Sequence, residues 1–175
     1  KERSKPYLIA GTTTADLTNK ACSPMNFNFV ADSYAMPKAG VKALMKQGVK
    51  SFYFIAVDYA FGQAYLDEAT RFIKEGGGKV AGVTRHPLGT ADFSSYLLQA
   101  QGSQAQVIGL TNAGGDTINS IKQASEFGIV QGGQKLAGML LFLSDIHSLG
   151  LQTAQGLQLT AGFYWDLNEK TRAFG

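Results

Sequence analysis

The chain has 175 residues, of which 45% are hydrophobic and 17% are charged, and its formal net charge is +3. This length is typical of a single α/β domain, and the composition excludes a disordered or coiled-coil chain. The 16 basic residues are scattered among 13 acidic ones and do not form a stripe with aromatic residues, so nucleic-acid binding is unsupported. No apolar run approaches the roughly 20 residues that span a bilayer. Residues 1–5 are not followed by the apolar core of a signal peptide.

The first 35 residues contain short strand-like and polar segments. Residues 6–10 and 26–30 are predicted strands, and residues 11–17 form a polar turn that enters a helix. Cys22, the one cysteine of the chain, is interpreted either as a buried thiol or as half of a disulfide bridge whose partner lies outside the chain. A further helix is predicted to begin at Pro37.

From residue 50 onward, apolar β-rich runs alternate with amphipathic segments, which predicts a parallel sheet with helices on its faces. Residues 51–57 form a continuous apolar run, typical of a strand that is covered on both sides. Later strands are predicted at residues 79–84, 106–111, 136–143 and 157–164. Helices are predicted after residue 60, with Tyr65 on the apolar inner face, after Asp92, from Asp116 to Gly128, and at Ser144 and Asp145. A last helix is indicated by Asp166 and Glu169, which resemble a capping pair. The sequence therefore predicts an α/β fold with a doubly wound, mainly parallel sheet.

Three polar segments follow predicted strands. They are residues 58–62 (DYAFG), 112–116 (NAGGD) and 144–147 (SDIH). In an open parallel sheet, ligands bind outside the carboxyl ends of the strands. Glycine lets the backbone approach a ligand, and the amides at the start of a helix favour an anionic group such as a carboxylate. Each Asp, Asn or Ser at these positions is also explained as a helix cap, so the residues alone leave both interpretations open.

Catalytic and metal sites find little support in the sequence. A serine hydrolase would need His86 or His147 beside a nucleophile, but the chain has no GxSxG motif. Residues 76–79 (GGGK) precede a predicted strand, whereas a phosphate loop follows one, so they are interpreted as the end of a helix. Asp145 and His147 lack further His or Cys residues that would complete a metal site. We therefore predict a protein without enzymatic activity, cofactor or metal.

Four motifs, taken in order, resemble those of a known family. Residues 58–62 follow a strand, residues 86–93 (HPLGTADF) precede a helix, residues 112–116 follow the next strand, and residues 163–166 (FYWD) lie near the end. The chain resembles type I periplasmic solute-binding proteins of ABC importers, in the branched-chain amino-acid and aromatic-acid branch. Members of this family have two Rossmann-like or flavodoxin-like lobes joined by three crossover strands, close around a solute and deliver it to a membrane permease. The resemblance implies a periplasmic protein, not itself membrane-spanning, that binds a small amino acid or aromatic carboxylate.

Two other functions remain as alternatives. A ligand-sensing domain of a receptor or regulator shares the same fold, and a membrane span or DNA-binding region in flanking sequence would reveal it. A nucleotide-using enzyme with a similar fold would need a phosphate loop, and no segment of the sequence fits one.

The resemblance also implies a division of the chain. Residues 1–35 correspond to the tail of the first lobe and a crossover, residues 36–164 to the second lobe, and residues 165–175 to a return crossover and the start of a truncated helix. Both ends would then fall inside structural elements, which predicts that the chain is part of a longer protein.

Eight ligand-binding residues are implied by the same resemblance. They are Thr12, Thr13, Tyr59, Phe61, Asn112, Ala113, Gly114 and Asp145. The two threonines lie in a turn that offers amides and hydroxyls to the ligand carboxylate. The two aromatic residues follow the first strand of the second lobe, and residues 112–114 form a glycine-containing loop after a later strand. The last of the eight lies near the place where amino-acid-specific members put a carboxylate for the ligand ammonium.

Overall fold

A computed structural model of the chain describes residues 5–175. Near the amino end, β1 (Tyr7–Ile9) and β2 (Asn26–Asn28) form a two-stranded parallel sheet, and a 3-10 helix (Ala15–Thr18) lies between them in the chain. Both strands fall inside the segments predicted from the sequence. Helix α1 (Ala35–Lys46) follows, and Pro37 lies in its first turn, where a missing backbone N–H costs nothing.

Five further strands form the main sheet, and every paired neighbour within it is parallel. They are β3 (Ser51–Val57), β4 (Lys79–His86), β5 (Val107–Thr111), β6 (Lys135–Gly138) and β7 (Gln158–Leu159). The helices are α2 (Ala60–Glu75), α3 (Ser94–Gly102), α4 (Gly115–Glu126), α5 (Leu143–Leu149) and α6 (Glu169–Phe174). Among the described residues the strand order is β4-β3-β5-β6-β7, which is the order of flavodoxin-like doubly wound folds. The predicted fold class is confirmed.

The core lies on both faces of the main sheet because successive side chains of a strand point to opposite sides. In β3, Phe52 and Phe54 pack into one apolar cluster with buried residues of α1 and α2. Tyr53 and Ile55 pack into a second cluster with buried residues of α3 and α4. The continuous apolar run at residues 51–57 therefore marks a central strand covered on both faces, as predicted.

Helix α2 begins in close contact with the end of β3. A Cβ atom added to Gly62 would lie 2.1 Å from the carbonyl oxygen of Val57, a distance that real Cβ atoms essentially never show. Only glycine permits this approach. The contact fixes the turn between β3 and α2 at the carboxyl edge of the sheet, with Tyr59 in the turn and Phe61 in the first turn of α2.

Two predicted strands are wrong in length. The apolar run at residues 136–143 contains β6 only as far as Gly138; residues 139–142 form a loop and Leu143 starts α5. The run at 157–164 contains only the two residues of β7. Residues 139–141 are buried without being a strand, and an apolar run does not distinguish a buried loop from a buried strand.

Two predictions about single residues are also wrong. Cys22 is exposed, which contradicts the interpretation as a buried thiol, because residues 20–21 form a turn at the surface beside the 3-10 helix. The alternative, a disulfide bridge to a cysteine outside the chain, stays a prediction. The cap of α6 is Asn168, whose side chain accepts a hydrogen bond from the Thr171 backbone N–H. Asp166, which the sequence indicated as the cap, instead accepts a hydrogen bond from Arg172. Within residues 5–175, no helix is both long enough and apolar enough to cross a bilayer.

Candidate functional site

A cavity of about 430 Å³ lies between the ends of β1 and β2 and the carboxyl edge of the main sheet. Its walls come from the segments that follow β1, β2, β6 and β7. The lining residues are Ala10, Gly11, Thr13, Val30, Ala31, Met36, residues 140–144 and residues 160–163. The side chains are mostly apolar, and Thr13, Ser144 and Thr160 add hydroxyl groups. This size and this mixture are typical of sites for small ligands.

Thr13 is held on the cavity wall by its backbone. Its carbonyl oxygen accepts a hydrogen bond from the Ser33 N–H at 2.6 Å, and the Ser33 hydroxyl oxygen accepts one from the Ala15 N–H at 3.2 Å. Ser33 is buried, so the two bonds tie the turn after β1 to the segment before α1. Thr12, the other predicted threonine, is exposed. It is not part of the cavity lining, although its neighbours in the chain, Gly11 and Thr13, are.

Tyr59 is the residue before α2, and Phe61 lies in the first turn of that helix. Tyr59 is 46% exposed, and the centroid of its ring is 5.8 Å from that of the Phe61 ring. The Phe61 ring in turn packs 4.6 Å from the ring of Tyr65. The predicted aromatic residues therefore form one end of a row of three rings that leads from the surface into the protein.

Tyr65 completes this row and is fully buried. Its phenol oxygen has no hydrogen-bond partner of normal geometry among the described residues. Burial raises the pKa of this phenol to about 12, while the nearby Thr13 side chain acts in the opposite direction and the charge of Asp32 adds to the increase. The sequence predicted Tyr65 only as an inner-face residue of a helix; a polar atom on such a face was the one signal of a further role.

Asn112 is fully buried, and its side chain is used within the fold. Its carboxamide oxygen accepts a hydrogen bond from the Thr117 hydroxyl at 2.7 Å, and its Nδ2 lies 3.1 Å from His86 Nε2. His86 Nδ1 lies 2.9 Å from the Pro87 carbonyl oxygen. These contacts fit a neutral imidazole that donates from Nδ1 and accepts at Nε2. The network joins the end of β4 to the end of β5 and to α4.

The two other predicted residues of this loop, Ala113 and Gly114, lead into α4. Ala113 packs in part against the apolar cluster under α1 and α2. Gly114 has a φ of 58°, a left-handed conformation that favours glycine. The loop can therefore offer backbone groups at the sheet edge, whereas the Asn112 side chain is buried and already hydrogen-bonded to His86 and Thr117.

Asp145 lies in the first turn of α5, and its carboxylate accepts a hydrogen bond from the Phe142 N–H at 2.9 Å. Phe142 and Ser144 line the cavity, but Asp145 is not part of the lining. Of the eight predicted residues, all of which lie in the described part of the chain, Thr13 is the one on the cavity wall. Between residues 5 and 175, no group of three or more His, Cys, Asp or Glu side chains is placed to hold a metal ion.

Most of the apolar wall was not predicted from the sequence. Leu140, Leu141 and Phe142 follow β6, and Phe163 follows β7. The sequence predicted that all four lie in strands, but in the structure these strands end before them. Their position at the carboxyl edge of a parallel sheet is the signal that indicates a binding wall once the strand ends are known.

Comparison with protein families gives a match along the whole chain. Residues 1–175 match the family model described as periplasmic binding protein. A solved periplasmic binding protein from Burkholderia mallei shares 47% identity over 99% of this chain, with a TM-score of 0.88. A branched chain amino acid ABC transporter periplasmic ligand-binding protein from Burkholderia xenovorans LB400 shares 35% identity over 99% of the chain, with a TM-score of 0.91.

A third solved structure is the leucine-, isoleucine-, valine-, threonine- and alanine-binding protein from Brucella ovis in a closed conformation. It shares 25% identity over 97% of this chain, with a TM-score of 0.83. The chain spans 46% of the length of each Burkholderia protein and 44% of the Brucella protein. A search of curated proteins gives no match.

Proposed function

Because this chain belongs to the periplasmic binding protein family, we propose that it forms much of the solute site of a binding component of an ABC importer. Members of this family bind solutes and are not enzymes. The observation that carries the proposal is the cavity of about 430 Å³, which lies where parallel sheets bind ligands, at the carboxyl ends of the strands.

The solute is a small carboxylate with an apolar remainder. The Thr13 hydroxyl and the amides of its turn can donate hydrogen bonds to a carboxylate, and bonds to a charged acceptor are stronger than those between neutral groups. The wall formed by Met36, Leu140 and Leu141 can cover the apolar part of the solute. Each Å² of apolar surface removed from water contributes about 25 cal/mol.

Two kinds of carboxylate fit this description, amino acids and aromatic acids. The names of the Burkholderia xenovorans and Brucella ovis proteins favour a branched aliphatic amino acid. An amino acid also brings an ammonium group, which is costly to bury without a partner. Asp145 is the predicted partner, and one of its oxygens already accepts the Phe142 N–H. The pair leucine and 4-methylpentanoate, which share a carbon skeleton and differ in the amine, separates the two possibilities.

We further propose that the protein acts in the periplasm and passes its solute to a membrane permease. Support comes from the relatives that are named as ABC transporter or periplasmic proteins. Since the chain spans less than half the length of these relatives, closure of two lobes around the solute is also part of the proposal.

The test is a thermal-shift screen of the protein at its full natural length. The probes are leucine, 4-methylpentanoate, phenylalanine and 3-phenylpropanoate. A probe that binds only the folded state, at a concentration of 100 times its Kd, stabilises the protein by about 2.7 kcal/mol. We expect the probes with one of the two carbon skeletons to stabilise the protein. The difference in stabilisation between the acid and the amino acid of that pair shows whether the ammonium is bound.

Two variants locate the site. Ala161→Phe places a ring on the exposed part of the cavity wall and should abolish the shift without disturbing the core. Ala39→Phe adds the same ring at an exposed position of α1 outside the lining and should keep the shift. Absence of any shift in the folded wild-type protein contradicts the proposed function. An equal shift in Ala161→Phe would mean that the solute binds elsewhere.

A further inference from the structure

We propose that the buried phenol of Tyr65 positions the Thr13 hydroxyl for solute binding, which makes Tyr65 a positioning residue of this site. This inference rests on the proposed function, because it needs a solute that contacts Thr13. Tyr65 itself does not line the cavity and would act only through Thr13.

The first observation is that a polar atom is buried without a partner. Tyr65 is fully buried in the cluster under α1 and α2, and among the described residues its hydroxyl has no hydrogen bond of normal geometry. A buried Tyr hydroxyl usually has a partner, and leaving one unsatisfied is destabilising. Phenylalanine would fill the same space without this penalty. The hydroxyl is therefore expected to act in the solute-bound protein, since it has no partner within residues 5–175 without the solute.

The second observation is the neighbour of this hydroxyl. Met36 and Ala31 line the cavity together with Thr13 and pack in the same apolar cluster as Tyr65, which brings the phenol close to this part of the cavity wall. The Thr13 side chain also lowers the pKa of the phenol against the larger effect of burial, and Asp32 raises it. The Thr13 backbone is already fixed by the hydrogen bond from the Ser33 N–H. The freedom that remains at Thr13 is mainly the rotation of its side chain, and a donor beside it restricts that rotation.

The direction of the hydrogen bonds follows from the chemistry of the groups. Because the pKa of Tyr65 is about 12, the phenol keeps its proton at neutral pH and can donate it. If the Tyr65 O–H donates to Thr13 Oγ1, the Thr13 O–H is left to donate to a solute carboxylate. Hydrogen bonds in such a chain strengthen one another.

The third observation is the rigidity of the Tyr65 ring. It packs at 4.6 Å against Phe61, which packs at 5.8 Å against Tyr59. A ring held in this way keeps its hydroxyl at one position, which is what a positioning residue requires. It also links the Thr13 turn to the turn between β3 and α2.

The experiment measures affinity and stability together in the full-length protein. Isothermal titration gives the affinity for leucine and 4-methylpentanoate, and thermal unfolding without either probe gives the stability. We expect Tyr65→Phe to weaken binding about tenfold, as for loss of one hydrogen bond coupled to a charged group, while the unfolding temperature stays equal or rises. Tyr53→Phe, which removes the hydroxyl of another buried tyrosine, should leave binding unchanged.

Variants of Thr13 test whether Tyr65 acts through it. Thr13→Ser keeps the hydroxyl and should bind nearly as well as wild type, but should still lose affinity when combined with Tyr65→Phe. Thr13→Val removes the hydroxyl, and adding Tyr65→Phe to it should cause no further loss, because coupled residues are not additive. Multiplicative losses in that pair would overturn the inference.

The outcomes also separate this inference from the proposed function. Wild-type binding together with unchanged affinity in Tyr65→Phe overturns the positioning role alone. No binding of either probe, or of the other two probes, by the folded wild type contradicts the proposed function, and the positioning role is rejected with it.

Discussion

Gly62→Ala is a stringent test of how α2 sits on the sheet. The new Cβ would lie 2.1 Å from the Val57 carbonyl oxygen and 3.0 Å from the Val57 side chain. The nearer contact is with backbone, so relief needs a movement of about 1 Å of α2 or β3 and not a change of rotamer. Overpacking of this kind costs about 1–3 kcal/mol, and a backbone clash belongs near the upper end. In a domain of this size, about 3 kcal/mol lowers the Tm by roughly 6–12 °C.

The assay is urea unfolding followed by far-UV circular dichroism, with thermal unfolding as a second measurement. The matched control is Gly102→Ala, at the end of α3, where an added Cβ has nothing within 4 Å. Alanine is a better helix former than glycine, so the control should be neutral or more stable by a fraction of a kcal/mol. The two substitutions therefore differ in sign. A Gly62→Ala protein as stable as the control would refute the close approach of α2 to β3.

Three further predictions concern hydrogen bonds and ionisation. The unfolded chain loses the Tyr65 proton above about pH 10, whereas the native state keeps it up to about pH 12. The free energy of unfolding should therefore fall across this range by at most about 2 kcal/mol. Urea titrations should show this loss in wild type and not in Tyr65→Phe. Thr117→Val leaves the buried carboxamide oxygen of Asn112 unpaired and should cost about 1–3 kcal/mol in the same assay, and no loss would argue against the network. Hydrogen bonds from Ser94 lower the pKa of Asp92, so the stability that this carboxylate adds is present above its unfolded pKa and is lost as the pH falls through the lowered one. Asp92→Asn should flatten that part of an acid titration of Tm, and an unchanged slope would contradict the bond.

Much of the fold follows from local patterns in the sequence. The bounds of β3 were predicted without error because the apolar run ends at the polar Asp58, where the strand also ends. The glycines at residues 76–78 marked the end of α2 and the start of β4 for a similar reason, since α2 ends at Glu75 and β4 begins at Lys79. The ends of β6 and β7 were not predictable in this way, because the apolar residues that follow them line the cavity and do not continue the strands.

The candidate site was predicted less well than the fold because residues from distant parts of the chain form it. Thr13 was identified by resemblance, and the structure places it on a cavity with residues 140–144 and 160–163. No pattern within one segment indicates that these segments meet. The role proposed for Tyr65 depends on an unpaired hydroxyl, which is a property of the folded environment and has no counterpart in sequence spacing.

A physical criterion distinguishes the predicted residues at the sheet edge. The Asn112 side chain has zero exposure and is hydrogen-bonded to His86 through Nδ2 and to Thr117 through its oxygen, so a solute could reach it only by displacing the residues that cover it. Thr13 is partly exposed on the cavity, and its backbone carbonyl oxygen, not its side chain, accepts the hydrogen bond from the Ser33 N–H. A solute can therefore gain a bond at Thr13 without displacing one. Polar residues at the carboxyl edge of the sheet are the candidates for solute binding. The hydrogen-bonding groups that each side chain still has available determine which of them can bind a solute.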